Sequence, residues 1–247
     1  MVSTKYLAKE INFEQTNKKL LEEVILHGLN MGADFVEIFL ENTDNVSVLV
    51  EEDCVTSVSP SFGKGAGIRI FKDNRDGFVS TNDLTKDGLI RSIIQAVEML
   101  DITFKSNRTF EGLDELRNYS EIKNNWLDTL PSVNEIGEKL LLSTNALKKD
   151  AKVQVRKGSY ARNWQQVLIA SSDGTFAKDI RLHQTVGLNL IATDRQYRSS
   201  GSRRFGSADN PDDLRSWNHE KAADEVYESS MSMLYADYVE AGQKPVV

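Results

Sequence analysis

The sequence predicts an α+β protein in which antiparallel sheets are flanked by helices. Stripes of apolar residues at helical spacing stand beside capping residues at four places. Between them lie runs that alternate with a period of two, separated by turn signals such as Asp173-Gly174. The order helix, about five strands, helix occurs twice, over 12–101 and 132–240. It reads as an internal duplication of element order with little residue identity between the copies.

The first helix starts near Asn12, with Gln15 as its capping-box partner. Leu21, Ile25 and Leu29 form its stripe, and Gly32 ends it. "ADFVEIFLE" sets Phe35, Glu37 and Phe39 against Val36, Ile38 and Leu40, a strand partly covered on both faces. "NVSVLVEED" and "VTSVS" alternate cleanly. "GAGIRIF" and "GFVSTN" flank Lys72–Asp76 and read as a hairpin. The second helix follows Asn82-Asp83 and carries Leu89, Ile93 and Val97, with Ile90 and Ile94 beside them. The third begins at Ser132, boxed by Glu135, and runs through Ile136, Leu140 and Leu147 to about Lys149. The strand candidates of the second half are "AKVQVRKGSY", "QQVLIASS", "TFAKDIRL", "TVGLNLIAT" and "QYRSSGSRR". The fourth helix starts at Asn210-Pro211-Asp212-Asp213, with the proline at its first position and acids toward its positive end. Its stripe is Ala223, Tyr227, Met231, Leu234 and Tyr238.

These elements divide the chain into a first half over 1–101, a polar connecting segment over 102–131 and a second half over 132–241. In the last residues, 242–247, Gly242 stands as a C-cap, Pro245 follows, and Val246-Val247 read as the first rungs of a new strand. That pattern predicts the start of a link to a further domain.

The 247 residues, 40% hydrophobic and 27% charged, suffice for one large or two small globular domains. No apolar run is long enough for a membrane helix, and MVSTKYLAKEINFEQ has no signal-peptide core, so a cytoplasmic protein with no membrane partner is expected. The single cysteine, Cys54, excludes an internal disulfide and multi-cysteine metal sites. The net charge of −7 is uneven: residues 151–204 hold ten Lys/Arg against three acids, a net of +7 that leaves −14 elsewhere. The basic segment reads either as solvated strand faces or as a local anion-attracting surface.

Few stretches suggest chemistry. "SFGKGAGIRIF" has the glycines of a phosphate loop, but they lead into a strand and not a helix. His219-Glu220 starts like a zinc-protease helix, yet positions one turn on are Ala223 and Asp224. His27 falls in the first helix and His183 in a basic strand, and both read as structural or surface residues. Cys54 follows Glu51-Glu52-Asp53, whose charges disfavour a thiolate. No G-x-S-x-G is present. Neither a catalytic residue nor a metal ligand is assigned.

Gly32–Leu84 as a whole, with "GADFVEIF", "GAGIR" and "GFVSTNDL" in order, resembles the N-terminal domain of the TldD/PmbA family. "AGQKPVV" resembles the segment that links its two domains. The resemblance implies zinc-dependent hydrolysis of unfolded or flexible peptides, including precursors of ribosomally made peptide antibiotics. It implies cytosolic assemblies of two subunits, homo- or heterodimeric, and carries an older association with modulation of DNA gyrase. The family's zinc sits on an H-E-x-x-x-H helix that follows the linking segment, with a later cysteine, and no residue of this chain matches those ligands. The expectation is an N-terminal portion that binds no zinc, is inactive alone, and contributes substrate cavity and subunit interface. Arg195, Tyr197, Arg203 and Arg204 are its substrate-facing candidates, and Tyr160, Trp164, Phe176 and Tyr197, interleaved with the basic residues, suggest a peptide-facing wall. A stand-alone peptide- or partner-binding module is the alternative. Nucleic-acid binding through the arginines ranks last, for want of a recognition helix or stacking motif.

Overall fold

A computed structural model describes residues 18–103, 105–115, 129–208, 210, 212–237, 240–243 and 245. The fold is α+β, as the alternating and helical patterns require. In chain order the elements are α1 (Lys18–Asn30), β1 (Phe35–Glu51), β2 (Cys54–Lys72), β3 (Arg75–Thr81), α2 (Lys86–Met99), β4 (Asp114–Glu115), α3 (Val133–Ala146), β5 (Val153–Ser171), β6 (Thr175–Asp194), β7 (Tyr197–Ala208), α4 (Asp213–Ser216) and α5 (His219–Leu234). The sheet order is β3-β2-β1-β5-β6-β4, with β7 also on β6. Before the connecting segment the chain runs helix, three strands, helix, and after it helix, three strands and two helices.

The strands differ from the sequence expectation in number and length. "ADFVEIFLE" and "NVSVLVEED" are one strand, β1, whose buried and partly exposed residues alternate without a break. "VTSVS" and "GAGIRIF" are likewise one strand, β2, and each remaining pair of second-half runs fuses into β5 or β6. Polar residues such as Asn42, Asp44, Arg162 and Gln166 interrupt the apolar pattern while lying buried in the pleat. Sequence patterning reads such residues as strand ends.

The connections follow turn chemistry. Asp73 and Asn74 have φ of 49° and 63°, the two positive values a two-residue hairpin turn needs, and β2 pairs antiparallel with β3 from Lys72↔Arg75 onward. Gly174, at φ 96°, turns β5 into β6. β6 and β7 pair antiparallel from Asp194↔Tyr197, across Arg195 at φ 54°. The expected connecting segment contributes β4, which pairs parallel with β6 at Asp114↔Thr175. Two residues offer no periodicity to detect.

The helices start where side chains satisfy their free N–H groups. Thr85 accepts from Gly88 N in α2, and Ser132 and Glu135 form the expected capping box in α3. The start expected for the first helix, Asn12–Gln15, lies outside the described residues. The expected fourth helix is two. Asp212 makes no side-chain cap, α4 stops at Ser216, and Trp217-Asn218 leaves helical geometry so that Asn218 can accept from Lys221 N. Gly242 does not cap α5, which ends at Leu234 with Tyr235 as its cap residue. Tyr238, Val246 and Val247 fall outside the described residues.

The chain forms two compact units that interleave in sequence. Unit 1 takes its described residues from Met1–Asn45, Pro60–Thr129 and Asn163–Leu182, and unit 2 from Val46–Ser59, Leu130–Arg162 and His183–Val247. In unit 1, α1 and α2 cover one cluster that includes Leu21, Ile25, Val36, Ile38, Ile68, Ile70, Leu89 and Ile93. In unit 2, α3 packs Ile136 and Leu140 against Val48, Tyr160 and Val186. There α5 packs Ala223 and Val226 with Leu188 and Leu190.

Candidate functional site

The pleat of unit 2 divides its strands into a helix-covered face and an open one. On β6 the residues Val186, Leu188 and Leu190 are buried, and their β7 partners are Phe205, Arg203 and Gly201. Gly201 lies so close to α5 that a Cβ there would stand 2.3 Å from the Val226 carbonyl oxygen. The intervening pairs, Gly187↔Arg204, Asn189↔Ser202, Ile191↔Ser200 and Thr193↔Arg198, form the open face.

On that face a concavity of about 650 Å³ opens among Leu49, Glu51, Lys157, Ser159, Asn189, Ser202 and Arg204. Its floor is small and polar because Gly187 has no side chain; a Cβ there would meet Ser159 Oγ at 2.6 Å. Lys157 Nζ pairs with Glu51 at 2.9 Å. Behind the floor, Arg156 is buried and donates to Glu52 Oε2 at 2.9 Å, to Asp53 Oδ1 at 3.2 Å and to the Thr144 carbonyl oxygen at 3.1 Å. This network ties the β1–β2 turn to the end of α3. Tyr160 Oη donates to Gln184 Oε1 at 2.8 Å, which anchors the buried side of β5.

The substrate-facing candidates separate. Arg195 and Tyr197 stand at the β6–β7 turn, seven strand positions or more from Arg204. Arg203 points toward α5 and pairs with Glu225 at 3.3 Å, while its neighbour Arg204 belongs to the open face. Arg198 shares the Arg204 face and was not singled out by the sequence pattern, although the same parity six positions apart is the signal for it. The expected aromatic wall does not form. Tyr160, Trp164 and Phe176 are buried at 1%, 4% and 4% exposure, and only Tyr197 is exposed.

The histidines and the cysteine do not converge. Among the described residues no three His, Cys, Asp or Glu side chains group closely enough to hold a metal. His219 is the first residue of α5, and Asp224, the carboxylate one turn on, is engaged by Lys149. Cys54 is exposed at the start of β2. This donor set does not fit a three-ligand catalytic zinc. No helix among the described residues is long and apolar enough to cross a membrane.

The described residues form an α+β fold of helix-backed, mainly antiparallel strands. Residues 36–100 match the first domain of the PmbA/TldA metallopeptidases and residues 128–234 their central domain. The chain belongs to the TldD/PmbA family. It is 23% identical over 181 residues to a metalloprotease TldD homolog of Haemophilus influenzae, covering 70% of this chain and 37% of that protein. A metalloprotease TldD homolog of Buchnera aphidicola is 22% identical over 198 residues, covering 76% and 38% respectively. The chain therefore spans well under half the length of these curated relatives.

Solved structures share the fold. A Thermotoga maritima protein described as a candidate modulator of a DNA gyrase superposes with a TM-score of 0.69 at 16% identity, over 94% of this chain and 50% of that one. TldE from Thermococcus kodakarensis superposes at 0.64 with 19% identity, over 84% and 47%.

Proposed function

We propose that this chain is the substrate-holding portion of a TldD-type zinc metallopeptidase that acts on unfolded or flexible peptides. The observation that carries the reading is the open face of unit 2. Its β7 strand is hydrogen-bonded to β6 on one side, and no described strand pairs with its other edge. An extended peptide added there would be held through its backbone, a mode that accepts many sequences. The concavity beside that edge would receive its side chains.

Zinc chemistry belongs, in this reading, to the parent protein. The metal would polarise the scissile carbonyl and activate a water. This chain's own part is to hold the peptide extended and in register. The open face of unit 1 supports a role in contact with a second family subunit, homo- or heteromeric. Phe71 and Phe78 are exposed there, with Phe35 packed edge-on against Phe71 and Arg69 over the Phe78 ring.

A peptidase assay on an unstructured casein-like peptide tests the reading. Zinc-dependent cleavage is expected from the full-length parent and not from these 247 residues. The isolated chain should still bind the peptide. Cleavage by the isolated chain, blocked by a chelator, would show that the metal site lies here after all. Absence of peptide binding would remove the substrate-holding role.

A further inference from the structure

We infer that the open face of unit 2 selects peptides with acidic side chains, and that Arg204 is the specificity-determining residue that receives the carboxylate. The inference rests on the peptide-binding reading above and narrows its substrate class.

Three cations border the concavity: Lys157, Arg203 and Arg204. Two are already answered. Glu51 lies 2.9 Å from Lys157 Nζ, and Glu225 lies 3.3 Å from Arg203 Nε. Arg204 makes no hydrogen bond or ion pair with any described residue. It is exposed, on the same open face as Arg198, which likewise has no partner among the described residues. Both reinforce a positive potential on β7 that no described carboxylate there cancels.

The surroundings of Arg204 leave room for a ligand. Its cross-strand partner is Gly187, and a Cβ on that residue would lie 3.8 Å from Arg204 Cγ. The bare backbone lets a ligand side chain come down beside the guanidinium. Asn189 and Ser202 line the same hollow; the Ser202 hydroxyl and the second amide hydrogen of Asn189, whose first goes to the Gly201 carbonyl oxygen, are left for an anion. A guanidinium presents a planar fork that a carboxylate meets with two parallel hydrogen bonds. A lysine side chain on the peptide would instead face like charge, and a neutral one would leave the fork solvated. The chemistry of the hollow therefore favours Asp or Glu at the peptide position that lies over Gly187.

The test uses three labelled unstructured peptides that differ only in one central residue, Glu, Gln or Lys, titrated with the whole chain at low salt. Fluorescence anisotropy should show the Glu peptide binding about tenfold more tightly than the Gln peptide, the scale of one charge-assisted bidentate contact. Arg204→Gln should bring the Glu peptide to the affinity of the Gln peptide and leave the Gln peptide unchanged. Arg204→Lys should restore part of the preference. Since Arg204 is exposed, thermal unfolding of both variants should match the parent chain. Equal binding of Glu and Gln peptides, or a preference that survives Arg204→Gln, would overturn the inference while leaving the peptide-binding reading intact. If none of the peptides binds, both fall together.

Discussion

In unit 1, α1 and α2 cover a single cluster, aliphatic apart from Phe176, and surface ion pairs join Lys86 with Glu23, Arg91 with Asp83, and Lys72 and Arg108 with Asp34. In unit 2, α3 and α5 cover two smaller clusters, and a buried arginine joins the β1–β2 turn to the end of α3. The open faces differ as well. That of unit 1 carries aromatic residues and the acids Glu37 and Glu41; that of unit 2 carries small polar residues and arginines. One arrangement of helices and strands thus supports two kinds of surface. In unit 2 the buried Arg156 adds a polar tie to these apolar contacts.

The largest expected effect sharpens that contrast. Arg156→Ala removes a side chain that is 4% exposed and leaves the Thr144 carbonyl oxygen without its donor. Glu52 and Asp53 reach solvent and can rehydrate, which limits the loss. We expect about 2–3 kcal/mol of destabilisation by urea unfolding. Arg91→Ala in unit 1 also breaks an arginine–carboxylate pair, but an exposed one, and should cost less than about 0.5 kcal/mol. Equal losses would show that burial is not what separates the units.

The next comparison concerns what the units share. Gly77 on β3 faces α2 as Gly201 on β7 faces α5, and an added Cβ would stand 2.7 Å from the Ala96 carbonyl oxygen or 2.3 Å from that of Val226. Both obstacles are helix backbone, which cannot swing aside. Gly77→Ala and Gly201→Ala should each destabilise by about 1–3 kcal/mol, with Gly201 the costlier. A neutral Gly201→Ala would mean that α5 shifts freely on its strand.

The capping residues come third. Ser132→Ala in α3 removes a reciprocal box, with Ser132 N donating to Glu135 Oε2 at 2.7 Å and Glu135 N to Ser132 Oγ at 3.2 Å. Thr85→Ala in α2 removes a one-way cap at 3.1 Å. Thermal denaturation should report about 1 kcal/mol for Ser132 and somewhat less for Thr85.

What the sequence revealed follows from the range of the interaction behind each feature. The capping box at Ser132-Glu135, the Asp173-Gly174 turn and the stripe Leu89-Ile93-Val97 are local and were legible. Strand length was not. Whether Asp44 or Arg162 ends a strand or lies buried within one depends on the pairing of β1 with β5, strands distant in sequence. The break at Trp217-Asn218 is not legible because Asn210-Pro211 followed by two acids reads as the start of one helix, while Phe205 packs on Trp217 and Asn218 caps α5 instead. At the open face, composition located a basic segment but not its parity. Only the register of β6 with β7 separates Arg203, turned to Glu225, from Arg204, turned outward.

The smallest effects concern pH, and they bear on both units. Lys72 and the Asp73 amide hold the Asp34 carboxyl below its ordinary pKa, with Arg108 adding to the pull. In unit 2 the Ser132 amide does the same for Glu135, and the Tyr235 hydroxyl for Asp194. A carboxylate whose folded pKa is depressed stabilises the fold above its unfolded pKa, and that contribution is lost as pH falls through the folded value. Stability should therefore be level from neutrality to about pH 5 and decline below about pH 4. Asp34→Asn removes one such group from unit 1, and Asp194→Asn one from unit 2. Each variant should be slightly less stable than the parent at pH 7 and lose less on acidification, so that the curves converge toward pH 2. Because these carboxylates are solvent-accessible, the gap at pH 7 should also shrink in high salt, which screens exposed pairs more than the buried Arg156 network. A salt-insensitive gap for Asp34→Asn would place part of unit 1's stability in electrostatics of the kind assigned here to unit 2.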